Sequence, residues 1–270
     1  MRPCHDFELR ERIVEHFAAT LASTGVELSP FPHVIIRGFF PADVYARLLE
    51  TFPSKPLYEP FDYDKHQSAG ESNRRRFCFT NAWLDKLSVD AKTFWHTIRS
   101  AVGCDEFKRL IFRKLSPGLS FRYGVPESET RSLPGYALPE LFNETQGYKI
   151  KPHPDTRKKV VTMQIALPGD NSQEALGTEF YRRATNPAAW LREPRGFEVA
   201  KRMPFLPNTA YAFSVLNAFT LKSWHGRTSL GGQSGERNSL LNIWYEKPEN
   251  GNADIVAENR AAQTNGRRAA

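Results

Sequence analysis

The sequence predicts a mainly β protein with flanking α-helices, its strands gathered in the second half as a sandwich or double-sheet barrel. Three observations carry this. Residues 159–167 alternate: Val161, Met163, Ile165 and Leu167 fall on one face, and Val160, Thr162, Gln164 and Ala166 on the other. Short strand-like runs follow at 177–181, 196–201, 209–215, 221–225 and 238–245, separated by Gly, Pro and Asn turns. The first half instead carries apolar residues at helical spacing.

Taken in order, Phe7, Ile13, Val14, Phe17 and Leu21 mark an amphipathic helix over about 6–23. His33-Val34-Ile35-Ile36 reads as a short strand ending at Gly38. Pro41 suits the first turn of the next helix, which carries Val44, Leu48, Leu49 and Phe52. Residues 54–81 are polar and contain Arg74-Arg75-Arg76, so they read as a long loop or lid. Helical patterns return over 89–102 and 105–115. Residues 119–125 alternate weakly, as a strand would, and 126–146 hold three prolines and read as a second loop. From about 247 the chain is polar and rich in Asn, Ala and Arg, which predicts a disordered tail to 270. The organisation expected is one domain over 1–246: helical support to about 116 and a β core over 117–246.

Composition excludes several classes. A chain of 270 residues with 40% hydrophobic content can bury a sizeable core, and no stretch approaches a transmembrane run. The N-terminus lacks the apolar core of a secretory signal. Cys4, Cys78 and Cys104 are odd in number and widely spaced, which argues against a disulfide framework or zinc ribbon and for a reducing, cytoplasmic setting. Thirty-seven Lys and Arg against 30 Asp and Glu leave a net charge of +7. The basic residues are mostly scattered, which fits an anionic small-molecule substrate better than nucleic acid.

The chemistry gathers at His153-Pro-Asp155, the only His-x-Asp pair in the chain. A chain with seven histidines holds roughly one such pair by chance, so position matters more than the pair. It follows the strand-like run 147–152 and precedes the clearest strand. His225 comes later, in Ser-Trp-His-Gly; by itself it could equally be a turn histidine. Two imidazoles and a carboxylate on one face of a metal leave the opposite face open, the ligand set of non-haem Fe(II) oxygenases. Arg237 and Ser239 then share a face at period two, where a guanidinium and a hydroxyl could both reach one ligand carboxylate.

This order, His153-x-Asp155, His225, Arg237-x-Ser239, resembles the Fe(II)/2-oxoglutarate-dependent oxygenases. The Phe31-Pro-His-Val-Ile-Ile36 strand and its following helix resemble the start of the prolyl-4-hydroxylase-like branch. The resemblance implies a double-stranded β-helix (jelly-roll, cupin-like) core braced by the N-terminal helices. It implies His153, Asp155 and His225 as Fe(II) ligands, Arg237 and Ser239 as anchors for 2-oxoglutarate, O2 as oxidant, and hydroxylation of an unactivated carbon. Related halogenases lack the carboxylate, so Asp155 points to oxygenation. Gln164 either faces the cavity beside the cosubstrate or lies on a solvent-facing side of the sheet. Tyr148 either offers its phenol to the cosubstrate or is a buried tyrosine bonded to backbone. Trp224 and Arg227 flank His225 and are candidates to touch substrate.

The substrate expected is a small molecule, because no peptide-binding module is evident. The alternatives are a prolyl-hydroxylase-like enzyme acting on a protein, a non-catalytic double-sheet binding protein, and a cupin-like metal enzyme that uses no oxoacid. A nucleic-acid demethylase of the AlkB type would carry a second arginine six positions after Arg237, where this chain has Ile243.

Overall fold

The computed structural model describes residues 6–61, 67–68, 71–228 and 236–269. The N-terminal segment read for a signal, and parts of the expected 54–81 loop, lie outside them. The chain opens with helix α1 (Phe7–Ser23), capped by the Asp6 carboxylate, which accepts from the Leu9 amide at 3.0 Å. Strand β1 (His33–Arg37) and helix α2 (Ala42–Glu50) follow, then the short strands β2 (Glu59–Pro60), β3 (Gln67–Ser68) and β4 (Glu71–Ser72). Strand β5 (Arg74–Cys78) leads into helices α3 (Asn81–Leu84), α4 (Val89–Gly103), α5 (Asp105–Lys114) and α6 (Ser116–Tyr123).

The rest is mostly strand: β6 (Tyr136–Glu144), β7 (Ile150–His153), β8 (Lys159–Ala166), β9 (Glu179–Arg183), β10 (Phe197–Arg202), β11 (Thr209–Ser214), β12 (His225–Arg227) and β13 (Arg237–Tyr245). Helix α7 (Ala253–Ala269) closes the chain. Apart from the β3-β4 pair, the strands form two antiparallel sheets flanked by helices, as expected and consistent with a double-stranded β-helix core. The large sheet has the order β1-β11-β8-β13-β6-β5-β2, the small one β10-β9-β12-β7.

The faces of β8 divide the molecule. Val161, Met163 and Ile165 join Leu240 and Trp244 against Ile13 and Phe17 of α1, Trp95 and Ile98 of α4, and Phe107 of α5. This is the main core, and its aromatic members are each worth about 3–5 kcal/mol against truncation to alanine. Thr162 and Gln164 point the other way, between the sheets. There a smaller apolar cluster of Phe31, Phe180, Tyr211 and Phe213 closes one end.

Five expectations are corrected. Residues 119–125 are not a strand but belong to α6, with Pro117 in its first turn and Gly124 ending it at φ +66°, where a side chain would be strained. Residues 126–146 are not a loop, since β6 runs between β13 and β5. Nor is 74–78 a loop: Arg74, Arg76 and Cys78 pair with Glu144, Phe142 and Glu140 of β6. The boundary near 116 therefore fails as a division of the fold, because β1, β2 and β5 sit in the large sheet. The tail is not disordered from 247. Asn252 caps α7, its side-chain oxygen accepting from the amides of Asp254 and Ile255, and Ile255 is buried. Glu258 on α7 pairs with the buried Arg99. Among the described residues no helix is long and apolar enough to cross a membrane.

Candidate metal centre and its cavity

His153 ends β7 and His225 opens β12, and the two are direct cross-strand partners. Their rings lie 4.4 Å apart between centroids. This close pairing is helped by Gly226, where a Cβ would meet the Ile150 carbonyl oxygen at 2.7 Å. Asp155 lies in the turn between β7 and β8. The ligand atoms of His153, Asp155 and His225 all fall within 4.8 Å of one another, and among the described residues this is the one His/Cys/Asp/Glu group so arranged.

Each ligand is held by a neighbour. The His153 Nδ1 lies 2.9 Å from the Lys151 carbonyl oxygen, and the His225 Nδ1 lies 2.9 Å from that of Ser223. A carbonyl only accepts, so each Nδ1 carries the proton and each Nε2 presents its lone pair. Burial lowers the pKa of both rings, His225 to about 4, so both are neutral at physiological pH. Asp155 is buried, which alone would raise its pKa. The charge of Lys159 and hydrogen bonds from Lys159 (2.5 Å) and Thr162 (2.7 Å) outweigh that and hold it far below the usual carboxylate range. Two bare imidazole nitrogens and one ionised carboxylate are the donor set that Fe(II) takes, and they fit it.

The three residues line a cavity of about 90 Å³ between the sheets, together with Arg74, Glu144, Tyr148, Lys159, Gln164, Arg227 and Arg237. A larger cavity, about 390 Å³, lies near the same end of β6 and β13 but takes the alternate residues Asn143 and Asn238, and it contains no such ligand group.

Away from the metal end, Arg237 is almost wholly buried and each of its nitrogens has an acceptor. Its Nη1 donates to Glu144, its Nη2 to Gln164 Oε1 at 2.8 Å, and its Nε to the Leu176 carbonyl at 2.9 Å. The ring of Phe205 lies beneath the guanidinium, 4.2 Å away. Arg74 reaches Glu144 from the other side, Nε to Oε1 3.1 Å, and stacks on Phe142. Burial would raise the Glu144 pKa, but the Arg237 and Arg74 charges hold it below the usual carboxylate range.

Gln164 lies on the cavity side, not toward solvent. It is the hub of a buried network: its amide nitrogen donates to Ser239 Oγ at 3.1 Å, and its Oε1 accepts from Thr178 at 3.1 Å and lies 2.9 Å from the Tyr211 hydroxyl. Ser239 shares the Arg237 face, but it is fully buried behind Gln164 and is not part of the cavity wall. Tyr148 lines the cavity, and burial pushes its phenol up to about 12. Trp224 does not line it. Adjacent strand residues face opposite ways, so with His225 pointing inward Trp224 packs outside against Phe197 and Arg183. Arg227, two residues from His225, does face inward.

Sequence reasoning missed Lys159, Glu144 and Arg74. Lys159 sits four residues after Asp155, a spacing that was readable. Glu144 and Arg74 had no local signal, because their partners are remote in sequence.

No family model and no curated protein matches the chain. Solved structures do resemble it distantly. One is the non-haem α-ketoglutarate-dependent epimerase SnoN of nogalamycin biosynthesis, at 14% identity over 86% of this chain and 80% of that one, TM-score 0.46. Another is a Pseudomonas putida prolyl-4-hydroxylase, at 11% over 87% and 99%, TM-score 0.42. A third is EctD from S. alaskensis, at 12% over 84% and 74%, TM-score 0.42. At such scores these likenesses describe the chain trace alone.

Proposed function

We propose that this chain is an Fe(II)- and 2-oxoglutarate-dependent dioxygenase that hydroxylates an unactivated carbon of a small molecule. The observation that carries it is the convergence of His153 Nε2, His225 Nε2 and the Asp155 carboxylate in one cavity that also contains the buried guanidinium of Arg237. His153, Asp155 and His225 would hold the iron, which when bound supplies the activation of O2 coupled to decarboxylation of the oxoacid. The lysine and threonine on Asp155 fix its orientation. Arg237 would take the distal carboxylate of 2-oxoglutarate, with Glu144 giving up part of its hold. Ser239 would act through Gln164, positioning the amide beside the cosubstrate. Tyr148, neutral over the physiological range, would offer its hydroxyl as a donor. The cavity walls would hold the reacting atoms together and limit the water that reaches them.

The test is succinate formation that requires both Fe(II) and 2-oxoglutarate, together with a visible charge-transfer band when the oxoacid is added anaerobically to the Fe(II) protein. His153→Ala should abolish both. Succinate formation untouched by His153→Ala, or no band in the wild-type protein, would sink the reading.

A further inference from the structure

The cavity wall carries more positive charge than the proposed cofactors need. Among the described residues that line it, Arg74, Lys159, Arg227 and Arg237 face Glu144 and Asp155, two more cationic than acidic side chains. A divalent metal and a dianionic oxoacid cancel each other and leave that excess in place. Unmatched buried charge is expensive unless something compensates it.

The excess has an address. Arg237 and Arg74 share Glu144, and Lys159 is paired with Asp155. Among the described residues Arg227 has no carboxylate in ion-pair contact. It is 6% exposed, its Nη1 donates to the Gly177 carbonyl at 3.1 Å, and its Nε is buried with no acceptor among them. The carboxylate nearest along the sheet, Glu179, pairs across from Gly226, but its oxygens are taken by Arg202, Tyr181 and Thr228. Arg227 also shares the inward face of β12 with His225, one strand repeat of roughly 7 Å along. The carbonyl it uses, Gly177, adjoins Leu176, which accepts from Arg237, so the two guanidiniums are neighbours that share no acceptor.

We infer that Arg227 binds an anionic group, carboxylate or phosphate, of the primary substrate, at a subsite distinct from the one that takes 2-oxoglutarate. The inference rests on the proposed function for the word substrate, but the anion site itself stands without it. A planar fork whose Nε has no acceptor can donate to two oxygens of such a group side by side. Binding there would hold the molecule by its charged end and present a carbon near it to the metal.

The experiment has two arms, both on the full chain. In the first, inorganic phosphate and acetate are titrated calorimetrically into metal-free protein. Saturable uptake of at least one is expected. Arg227→Gln should weaken it by about tenfold or more, while Arg237→Gln should change it less than about threefold. Which anion binds more tightly tells phosphate from carboxylate. In the second arm 2-oxoglutarate is added to the anaerobic Fe(II) protein, and the pattern should reverse, with Arg237→Gln losing the charge-transfer band and Arg227→Gln keeping it. If Arg227→Gln does not fold, Arg227→Lys keeps the charge but not the fork and should still weaken uptake. No saturable uptake of either anion by the wild type, or uptake lost in the Arg237 variant and kept in the Arg227 variant, overturns the subsite. No band in the wild type defeats the dioxygenase reading instead, and leaves the first arm to decide the subsite alone.

Discussion

The two ends of the cavity are organised on opposite plans. At the metal end, His153 and His225 are oriented by backbone carbonyls, which leave both Nε2 atoms free. At the other end, Arg237 is engaged on every nitrogen, and its main partner, Glu144, carries the same charge as the ligand that Arg237 is proposed to bind. The two imidazoles can take a metal without giving up a partner. The arginine end has to exchange one carboxylate for another, or share its guanidinium between the two. The difference teaches that burying a cation for a future anion requires an internal stand-in, and Glu144 is placed to be it.

The largest expected effect is at the preformed end. Asp155→Ala should lower Fe(II) affinity by more than the roughly 10–100-fold lost when an outer-shell partner of a metal ligand is removed. Anaerobic metal titration measures it. Retention of wild-type affinity would mean that the three groups do not act together.

Next is the exchanging end. Glu144→Gln leaves Arg237 and Arg74 without their buried carboxylate, which should cost about 3–5 kcal/mol of stability. Added 2-oxoglutarate should then raise the thermal midpoint of the variant more than that of the wild type, because the ligand replaces the missing charge. If the oxoacid stabilises both proteins equally, Glu144 is not a stand-in and the contrast between the two ends collapses.

The same contrast explains what could be read from the sequence. The metal end was legible because its determinants are local. His153 and Asp155 are two residues apart, and β8 announces itself by alternation. The arginine end was half legible: Arg237 and Ser239 lie on one predicted strand, but Glu144 and Arg74 meet Arg237 only through pairing of β5 and β6 with β13. Strand β6 was hidden by Pro139. That proline is tolerated because β5 pairs only with residues 140–144 of β6, so no described strand needs an amide from Pro139 on that side. Strand β5 was hidden by its arginines, whose carboxylate partners lie some sixty residues on, at Glu140 and Glu144. Helix α7 had a readable cap in Asn252, outweighed by the polar composition after it.

Acid offers a gentler probe of the exchanging end. Folding lowers the Glu144 pKa, so its contribution to stability is fully present above the range where a solvated glutamate titrates, near ~4.3, and is lost as pH falls through its lower folded value. The wild type should lose stability on acidification below about pH 4 more steeply than Glu144→Gln, which has no proton to gain there. Denaturant midpoints across that range measure the two slopes. Equal slopes would place the acid sensitivity elsewhere.

The smallest effect tests which end Tyr148 serves. Its phenol lines the cavity and its ring lies 5.3 Å from the Arg74 guanidinium, so it belongs with the arginine cluster. Burial keeps the hydroxyl protonated, able to donate to an anion. Tyr148→Phe removes that donor, a loss of about 0.5–1.5 kcal/mol, or a few-fold to about tenfold in 2-oxoglutarate affinity. Fe(II) affinity measured without the oxoacid should not move. A variant that binds the oxoacid normally but holds iron more weakly would assign Tyr148 to the metal end, and the boundary between the two halves of the cavity would have to be redrawn on the far side of its ring.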